Sequence, residues 1–299
     1  MVATVNKEMK WLIVGGDGQL GRAVSSTLQQ SNSRFISLSH NQLDITNRKQ
    51  ILEIFLTHSP TIVLNCAAWT DVDGAEESEV DATRINGNGS ELLAKASAEI
   101  GGKFIQISTD YVFSGNSTTP WEEDAPLCPV SAYGRGKAIG EELVMKAYPE
   151  GSYILRTSWL YSPWGKNFVK TMLKIATQEM RNVEVVDDQV GQPTSAIDFA
   201  EQIQLLSNRL VEPGVYHVTN TGQASWYELA RKVFTLVGEN AERITPISSS
   251  QISRPAQRPA YSVLSNNRWV REGFKPLRNW EVALEDAMPS IIRACDQGG

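Results

Sequence analysis

A tyrosine and a lysine stand four residues apart in the stretch AYGRGKA, residues 132–138. This spacing places Tyr133 and Lys137 on one face of a helix. A tyrosine can donate a proton to the alkoxide that forms when a carbonyl is reduced, and a neighbouring ammonium group lowers the pKa of its phenol from about 10. Because the chain contains 8 tyrosines, such a pair also arises by chance. The rest of the chain has to decide what it means.

A glycine-rich turn, GGDGQLGRA, follows the apolar run KWLIV and precedes a helix. In this context such a turn typically holds the pyrophosphate of a dinucleotide at the helix N-terminus. Gly15 permits the sharp turn, Gly18 lets the backbone approach a phosphate, and Gly21 allows close contact between helix and strand. A tight connection that binds no ligand is the alternative reading.

The end of the second predicted strand bears on the choice of cofactor. An acidic residue there binds the adenosine ribose hydroxyls and repels a 2′-phosphate. Here the strand ends in Ser39 and His40, without a carboxylate. The sequence therefore predicts NADPH or NADH as cofactor, with NADPH favoured.

Short apolar runs alternate with amphipathic stretches through the first half of the chain. This pattern is typical of an α/β fold with a doubly wound, Rossmann-type parallel sheet. The predicted strands are residues 10–16, 34–39, 61–68, 103–108 and 152–158, and the predicted helices begin near Gln19 and cover residues 48–58 and 81–102. We expect a tail over residues 1–9, a nucleotide-binding domain over 10–160 that later segments complete, and a smaller, partly interleaved substrate lobe over 161–299.

Thr109 stands at the carboxyl end of the fourth predicted strand, where open α/β sheets bind their ligands. If the helix of Tyr133 and Lys137 packs over this edge, the three side chains converge. Thr109 would then hydrogen-bond the carbonyl oxygen of the substrate, Tyr133 would donate the proton, and Lys137 would hold the nicotinamide ribose. Taken singly, each residue has an ordinary structural explanation as a backbone-bonded hydroxyl, a packing aromatic or a solvated charge.

Composition limits the partners and the compartment. The net charge of −6 argues against binding to nucleic acid or to an anionic membrane surface. There is no apolar run long enough to span a membrane and no signal-peptide pattern at the N-terminus. The three cysteines lie far apart, which favours a reducing cytoplasm, and the three histidines suggest no zinc site. Monomer and homodimer both remain open.

Together these motifs resemble the dTDP-4-dehydrorhamnose reductase family within the extended short-chain dehydrogenase/reductase superfamily. The resemblance runs from about Met9 to Cys295. It is carried by the stretches GQLGR, STDYVF, AYGRGK, RTSWLY, DQVGQPT and RPAYSVL. It implies NAD(P)H-dependent reduction of the C4 ketone of a dTDP-4-keto-6-deoxysugar, such as dTDP-4-dehydrorhamnose.

The resemblance also implies roles for individual residues. Thr109, Tyr133 and Lys137 match the catalytic set, and Asp110, Trp159 and Arg258 match positions on the substrate side. The matched cofactor positions, beyond Gly15, Gly21 and Ser39, are Gly18, Gln19, Leu20, Asp44, Ile45, Ala67, Ala68, Trp69 and Thr70.

Three features depart from the family pattern or fail to match it. Trp69 stands where tyrosine or histidine is usual, which affects the nicotinamide side. Ser39 stands where some members have aspartate, which argues against a strict preference for NADH. Some members bind Mg²⁺, but no metal ligands can be assigned here; Asp187 and Asp188 are the nearest candidates, and a solvated loop pair is the better reading of them.

Three alternative functions remain open at this point. A nucleotide-sugar dehydratase would need an Asp-Glu pair after the threonine, whereas this chain has Asp110 followed by Tyr111. A C4 epimerase does not usually carry the RTSW and DQVGQPT stretches. A non-catalytic regulatory subunit, like the beta type of methionine adenosyltransferase, would not need the intact set of threonine, tyrosine and lysine.

Overall fold

A six-stranded parallel sheet lies at the centre of the structure, a computed structural model that describes residues 9–179 and 181–297. The predicted tail lies outside the described residues except for Met9. The strands are β1 (Lys10–Val14), β2 (Arg34–Leu38), β3 (Ile62–Asn65), β4 (Lys103–Thr109), β5 (Ser152–Thr157), β6 (Leu160–Tyr161), β7 (Val183–Val186), β8 (Val190–Gly191), β9 (Thr194–Ser195), β10 (Gly214–His217), β11 (Ala224–Ser225) and β12 (Ile244–Ile247).

Helices cover both faces of this sheet. They are α1 (Gln19–Gln30), α2 (Arg48–His58), α3 (Val72–Glu77), α4 (Glu79–Thr83), α5 (Ser90–Ile100), α6 (Ala132–Ala147), α7 (Phe168–Lys174), α8 (Ala196–Ser207), α9 (Trp226–Leu236), α10 (Asn267–Arg271) and α11 (Trp280–Asp296). Two π-helical turns span Arg84–Gly89 and Ile175–Glu179, and three 3₁₀ turns span Asp110–Val112, Ala241–Arg243 and Ser249–Gln251.

The large sheet has the strand order β2-β1-β3-β4-β5-β10, and its pairs are all parallel. Successive residues of each strand point to opposite faces. Trp11 and Ile13 accordingly join the core under α1 and α8, while Leu12 and Val14 join the core under α2 and α5. Burial on both faces explains why these strands read as continuous apolar runs. The predicted α/β fold of Rossmann type is confirmed.

Later parts of the chain return to this sheet. Strand β10 forms its edge beside β5, and α8 packs on α1. A separate core lies between α7, α9 and α11 and beside the parallel pair β7 and β12. The interleaving therefore involves α8, β10 and also α10 with the segment after it, because Trp269, Phe274 and Leu277 join the core under α1 and α8. The sequence patterns did not resolve this crossover.

The helix predicted over residues 81–102 is in fact α4, a π-helical turn and α5 in succession. It ends at Gly101, whose φ of +61° suits glycine. The π turn carries the stretch RINGNG, and its extra residue per turn breaks the 3.6-residue periodicity on which the prediction rested. A Cβ on Gly89 would lie 2.7 Å from the Ile45 side chain, so the turn packs closely on the loop after β2.

Helix α6 approaches the π turn very closely. Ser131 caps it, its side chain accepting a hydrogen bond from the Gly134 N–H. A Cβ on Gly140 would lie only 2.3 Å from the Asn86 backbone oxygen, whereas the nearest atom to a Cβ on Gly136 is 3.5 Å away. The glycines of α6 therefore differ in what surrounds them.

No helix within residues 9–179 and 181–297 is both long enough and apolar enough to cross a membrane.

We expect Gly140→Ala to destabilise the protein by about 1–3 kcal/mol, because the added methyl group meets a backbone oxygen that cannot move freely. Gly136→Ala is the matched control. Its methyl group has room, and alanine favours a helix by up to about 1 kcal/mol over glycine. Urea unfolding measures both variants. Equal unfolding midpoints would contradict the close packing at Gly140.

Candidate active site

A cavity of about 1060 Å³ opens at the carboxyl ends of β1, β3, β4 and β5. The strand order reverses between β1 and β3, and ligands of open α/β sheets bind at such a reversal. Pockets for a single small molecule usually measure about 300–1,000 Å³. This cavity therefore lies just above the upper end of that range.

The cavity collects nearly every residue predicted from the sequence. The predicted residues that line it are Gly15, Gly18, Gln19, Leu20, Gly21, Ser39, Asp44, Ile45, Ala67, Ala68, Trp69, Thr70, Thr109, Asp110, Tyr133, Lys137 and Trp159. Arg258 is the predicted residue that does not line it.

The glycine turn after β1 has the geometry of an anion site. Gly15 has a φ of +78°, and a Cβ there would lie 2.5 Å from the Ala67 nitrogen. A Cβ on Gly21 would lie 2.4 Å from the Gly15 oxygen. Gly18 caps α1 without a side chain, and the first turn of α1 contains no acidic residue. Its N–H groups and helix dipole suit the pyrophosphate of a dinucleotide.

The loop after β2 forms the far end of the cavity. The Ser39 hydroxyl and backbone N–H both donate to Gln42 Oε1, at 3.0 and 2.9 Å. Asp44 Oδ1 accepts hydrogen bonds from the Thr46 N–H and hydroxyl, and these bonds lower the pKa of Asp44. Asp44 is thus already held within its own loop, and no carboxylate stands at the position of Ser39.

Tyr133 and Thr109 meet at the opposite end. Burial raises the pKa of Tyr133 to about 12, although the neighbouring Thr109 hydroxyl lowers it. The Thr109 hydroxyl donates to Asp110 Oδ1 at 3.0 Å and accepts the Tyr111 N–H at 3.2 Å. The phenol of Tyr133 is therefore protonated near neutral pH and can act as a proton donor. The expectation that Lys137 lowers this pKa is wrong for this structure, where burial raises the pKa of Tyr133 and Thr109 is the group that lowers it.

Lys137 is 4% exposed and donates from Nζ to the Ile107 carbonyl at 2.6 Å. Burial lowers its pKa to about 8, against the opposing effect of the Glu141 charge. Asp110 is 1% exposed, and burial raises its pKa to about 6. Its Oδ2 has no hydrogen-bond partner within the described residues. The site thus holds a buried ammonium and a buried carboxyl group near the phenol.

Two residues that sequence reasoning missed shape this end of the cavity. Asn86, in the π turn, accepts the Trp69 N–H at 2.8 Å and donates to the Trp69 carbonyl at 3.1 Å. Tyr111 packs its ring edge-to-face with Tyr133, with centroids 5.6 Å apart. The stretch INGNG has poor helix propensity, which was a signal for Asn86. The motif STDYVF contains Tyr111.

Two stacked tryptophans line the side of the cavity that the second half of the chain forms. Trp159 has a φ of +45° and stacks on Trp226 with ring centroids 3.6 Å apart. A Cβ on Gly191 would lie 2.5 Å from the Trp159 ring, so the indole lies between Gly191 and Trp226. Sequence reasoning missed Trp226. The capping box of Ser225 and Glu228 places it at the start of a helix, but that pattern gives no direction toward the cavity.

The family model described as the RmlD substrate binding domain matches residues 9–292. The chain belongs to this family. The match spans both halves of the chain and includes every residue that lines the cavity. The resemblance to the dTDP-4-dehydrorhamnose reductase family is therefore confirmed.

Individual relatives are similar to the chain over nearly its whole length. The chain is 40% identical over 294 residues to a dTDP-4-dehydrorhamnose reductase of Streptomyces griseus, and the alignment covers 97% of this chain and 95% of the relative. It is 40% identical to a dTDP-4-keto-6-deoxy-D-glucose reductase of Streptomyces niveus over 94% of this chain and 97% of the relative. A dTDP-4-dehydrorhamnose reductase of Bacillus anthracis, solved in complex with NADP, superposes with a TM-score of 0.90 at 36% identity and covers 94% of this chain and 99% of that one.

Arg258 does not line the cavity itself, although its charge lowers the pKa of Tyr111, which does. Its guanidinium forms two hydrogen bonds to the Asp73 carboxylate, at 2.6 and 2.7 Å. These bonds hold the pKa of Asp73 at about 2. Contact between Arg258 and substrate phosphates stays a prediction.

Within residues 9–179 and 181–297, no group of three or more histidine, cysteine, aspartate or glutamate side chains is placed to hold a metal ion. Asp187 accepts a hydrogen bond from Ser225, while Asp188 accepts from Ser248 and Ser249. The two carboxylates therefore bond to different elements.

We expect Cys66 to resist alkylation at pH 8, because burial raises the pKa of its thiol to about 12. The exposed Cys128 is the internal control and should react. Peptide mass spectrometry after iodoacetamide treatment reports both. Modification of Cys66 as fast as Cys128 would contradict its inert position on the cavity wall.

Proposed function

We propose that the protein is an NADPH-dependent oxidoreductase that reduces the C4 ketone of a dTDP-4-keto-6-deoxysugar to an alcohol. The substrate is dTDP-4-dehydrorhamnose or a close relative, and the product is dTDP-rhamnose or its counterpart. The observation that carries the proposal is the convergence of Thr109, Tyr133 and Lys137 in the same cavity as the glycine turn. The names of the relatives from Streptomyces support this substrate class.

Each of these residues has a defined task in the proposed reaction. When bound, the nicotinamide supplies the hydride that reduces the carbonyl carbon. Tyr133 gives its hydroxyl proton to the carbonyl oxygen, which completes the alcohol. Thr109 orients that oxygen with its hydroxyl. Lys137, as an ammonium, stabilises the negative charge left on the phenol.

The cofactor would lie along the cavity from the loop after β2 to β4. The glycine turn would bind its pyrophosphate, and Ser39 leaves room for a 2′-phosphate that a carboxylate would repel. The complex of the Bacillus anthracis relative with NADP supports this preference. NADH remains the expected second choice.

Residues 161–299, apart from α8, β10 and the segment from α10 to Leu277, form the proposed substrate lobe. Trp159, stacked on Trp226, would cover the sugar, and Asp110 would contact it. Tyr111 stands where a dehydratase needs a glutamate, and its buried phenol, with a raised pKa, cannot replace that carboxylate.

A cytoplasmic location is part of the proposal and agrees with the free thiols. Both a monomer and a homodimer remain possible.

The direct test mixes the purified protein with NADPH and dTDP-4-dehydrorhamnose and follows the nicotinamide absorbance. We expect stoichiometric oxidation of NADPH and a product with an alcohol at C4. A nucleotide sugar that changes without NADPH oxidation would identify an epimerase or dehydratase. Lack of turnover with any 4-keto sugar nucleotide, together with tight binding to another protein, would identify a regulatory subunit.

We expect Tyr133→Phe to lower kcat by about 10²-fold or more, because the phenol supplies the proton. The Kd for NADPH, measured by fluorescence titration, should stay within a factor of a few. Tyr148→Phe is the matched control, since Tyr148 caps the C-terminal end of the same helix, packs in a core and does not line the cavity. If Tyr133→Phe keeps full turnover, the proton donor has been misassigned.

We expect Ser39→Asp to weaken NADPH binding at least tenfold, because the carboxylate repels the 2′-phosphate. NADH binding should remain or improve. Comparison of kcat/KM for the two cofactors measures the change, with Ser39→Asn as an uncharged control. An unchanged preference in Ser39→Asp would place the 2′-phosphate elsewhere.

A further inference from the structure

A buried ion pair lies directly behind the proposed catalytic residues. Glu141 is 4% exposed and Arg156 is 3% exposed. Arg156 donates from its terminal nitrogen to Glu141 Oε2 at 2.6 Å and from Nε to Oε1 at 2.9 Å. The Ser108 hydroxyl donates to the same Oε1 at 2.5 Å. The pair thus joins α6 to β4 and β5.

Such pairs do not generally stabilise a protein. Desolvation of both charges offsets most of their attraction, and apolar residues of similar size often serve equally well. The buried pair therefore calls for an explanation other than stability. The position of the ion pair supplies such an explanation, because Glu141 is one helical turn after Lys137.

Two consecutive residues of β4 hold two residues of α6, and the next residue of β4 lies beside a third. The Ile107 carbonyl accepts a hydrogen bond from the Lys137 ammonium, and the Ser108 hydroxyl donates to Glu141. The Thr109 hydroxyl lies near enough to Tyr133 to lower the pKa of its phenol. A shift of α6 along β4 would break these contacts together. Strand β5 reinforces the Glu141 contact, because its Arg156 also bonds to Glu141.

We propose that Glu141, oriented by Arg156 and Ser108, is a positioning residue for the reduction, which fixes α6 against β4 and supplies the negative charge that keeps Lys137 an ammonium. This inference rests on the proposed function, since it concerns the residue that assists Tyr133. It assigns the ion pair a role in the reaction in addition to its role in the core.

The surrounding charges support this assignment. The groups whose charge opposes the loss of the Lys137 proton are Glu141 and the Cys66 thiol. The high pKa of Cys66 keeps that thiol neutral, so Glu141 is the effective anion. Behind Arg156 lies His217, whose Nε2 is 3.2 Å from the guanidinium. Burial and the Arg156 charge hold the pKa of His217 well below its usual range, so His217 adds no charge.

Another neighbour of Arg156 is Glu123, which contributes its backbone carbonyl at 3.0 Å, and the uncharged Phe113 ring lies 5.0 Å from the guanidinium. The Glu123 carboxylate accepts a hydrogen bond from the Arg268 backbone N–H, and burial raises the pKa of Glu123.

These charges set the direction of the pH effect on the reaction. Lys137 loses its proton as the pH rises through about 8, so kcat/KM should fall there. Removal of the Glu141 charge lowers the pKa of Lys137 further and moves this fall to lower pH.

The test records kcat/KM against pH for the wild type and for Glu141→Gln. We expect the alkaline fall in Glu141→Gln to move down by about one pH unit. Glu141→Asp, which keeps the charge, should retain most of the wild-type profile. If Glu141→Gln does not fold, the double variant Glu141→Gln with Arg156→Gln removes the unpaired buried cation and should show the same direction of shift.

The control is Asp198→Asn, which removes another carboxylate bonded twice to an arginine, Arg278, away from the cavity. It should lower thermal stability without moving the pH profile. An unmoved profile in the folded Glu141 variants, or failure of all of them to fold while Asp198→Asn folds, would overturn the inference and leave a purely structural pair. A wild type that does not reduce the sugar would instead contradict the proposed function.

Discussion

The close approach of helix α6 to the end of strand β4 is the constraint on which the site depends. Lys137 can reach the Ile107 carbonyl because the helix lies so near the strand. That distance in turn requires glycine where α6 meets backbone atoms: a Cβ on Gly134 would lie 2.3 Å from the Tyr111 oxygen, and one on Gly140 equally near Asn86. The same glycines that weaken the helix by propensity permit the packing that holds Tyr133 beside Thr109.

Much of the first half of the fold could be predicted from the sequence. Buried parallel strands read as apolar runs, and helix α2 has the predicted bounds of residues 48–58. The π turn could not be predicted, because one extra residue per turn is invisible to a 3.6-residue period. The place of strand β10 at the edge of the large sheet, and that of Trp226 at the cavity, were missed for another reason. Strand β10 pairs with β5 and Trp226 stacks on Trp159, and a local sequence pattern does not predict such contacts between distant parts of the chain.

The two halves of the chain contribute different kinds of surface to one cavity. The first half supplies backbone N–H groups and a glycine turn, which suit phosphates without added positive charge and agree with a net charge of −6. The second half supplies flat aromatic rings, which suit the apolar face of a sugar. Between them lie a protonated phenol, a hydroxyl and an ammonium. The chemistry follows from this meeting of the halves rather than from any single motif.

The most direct measurement is the fate of a labelled hydride. The protein is incubated with dTDP-4-dehydrorhamnose and NADPH that carries deuterium on the transferred face of the nicotinamide, and the product is examined by NMR. The account predicts one deuterium at C4 of the sugar for each NADPH oxidised, with none at C3 or C5. A product with deuterium at another carbon, or one that forms without loss of the label from NADPH, would contradict it.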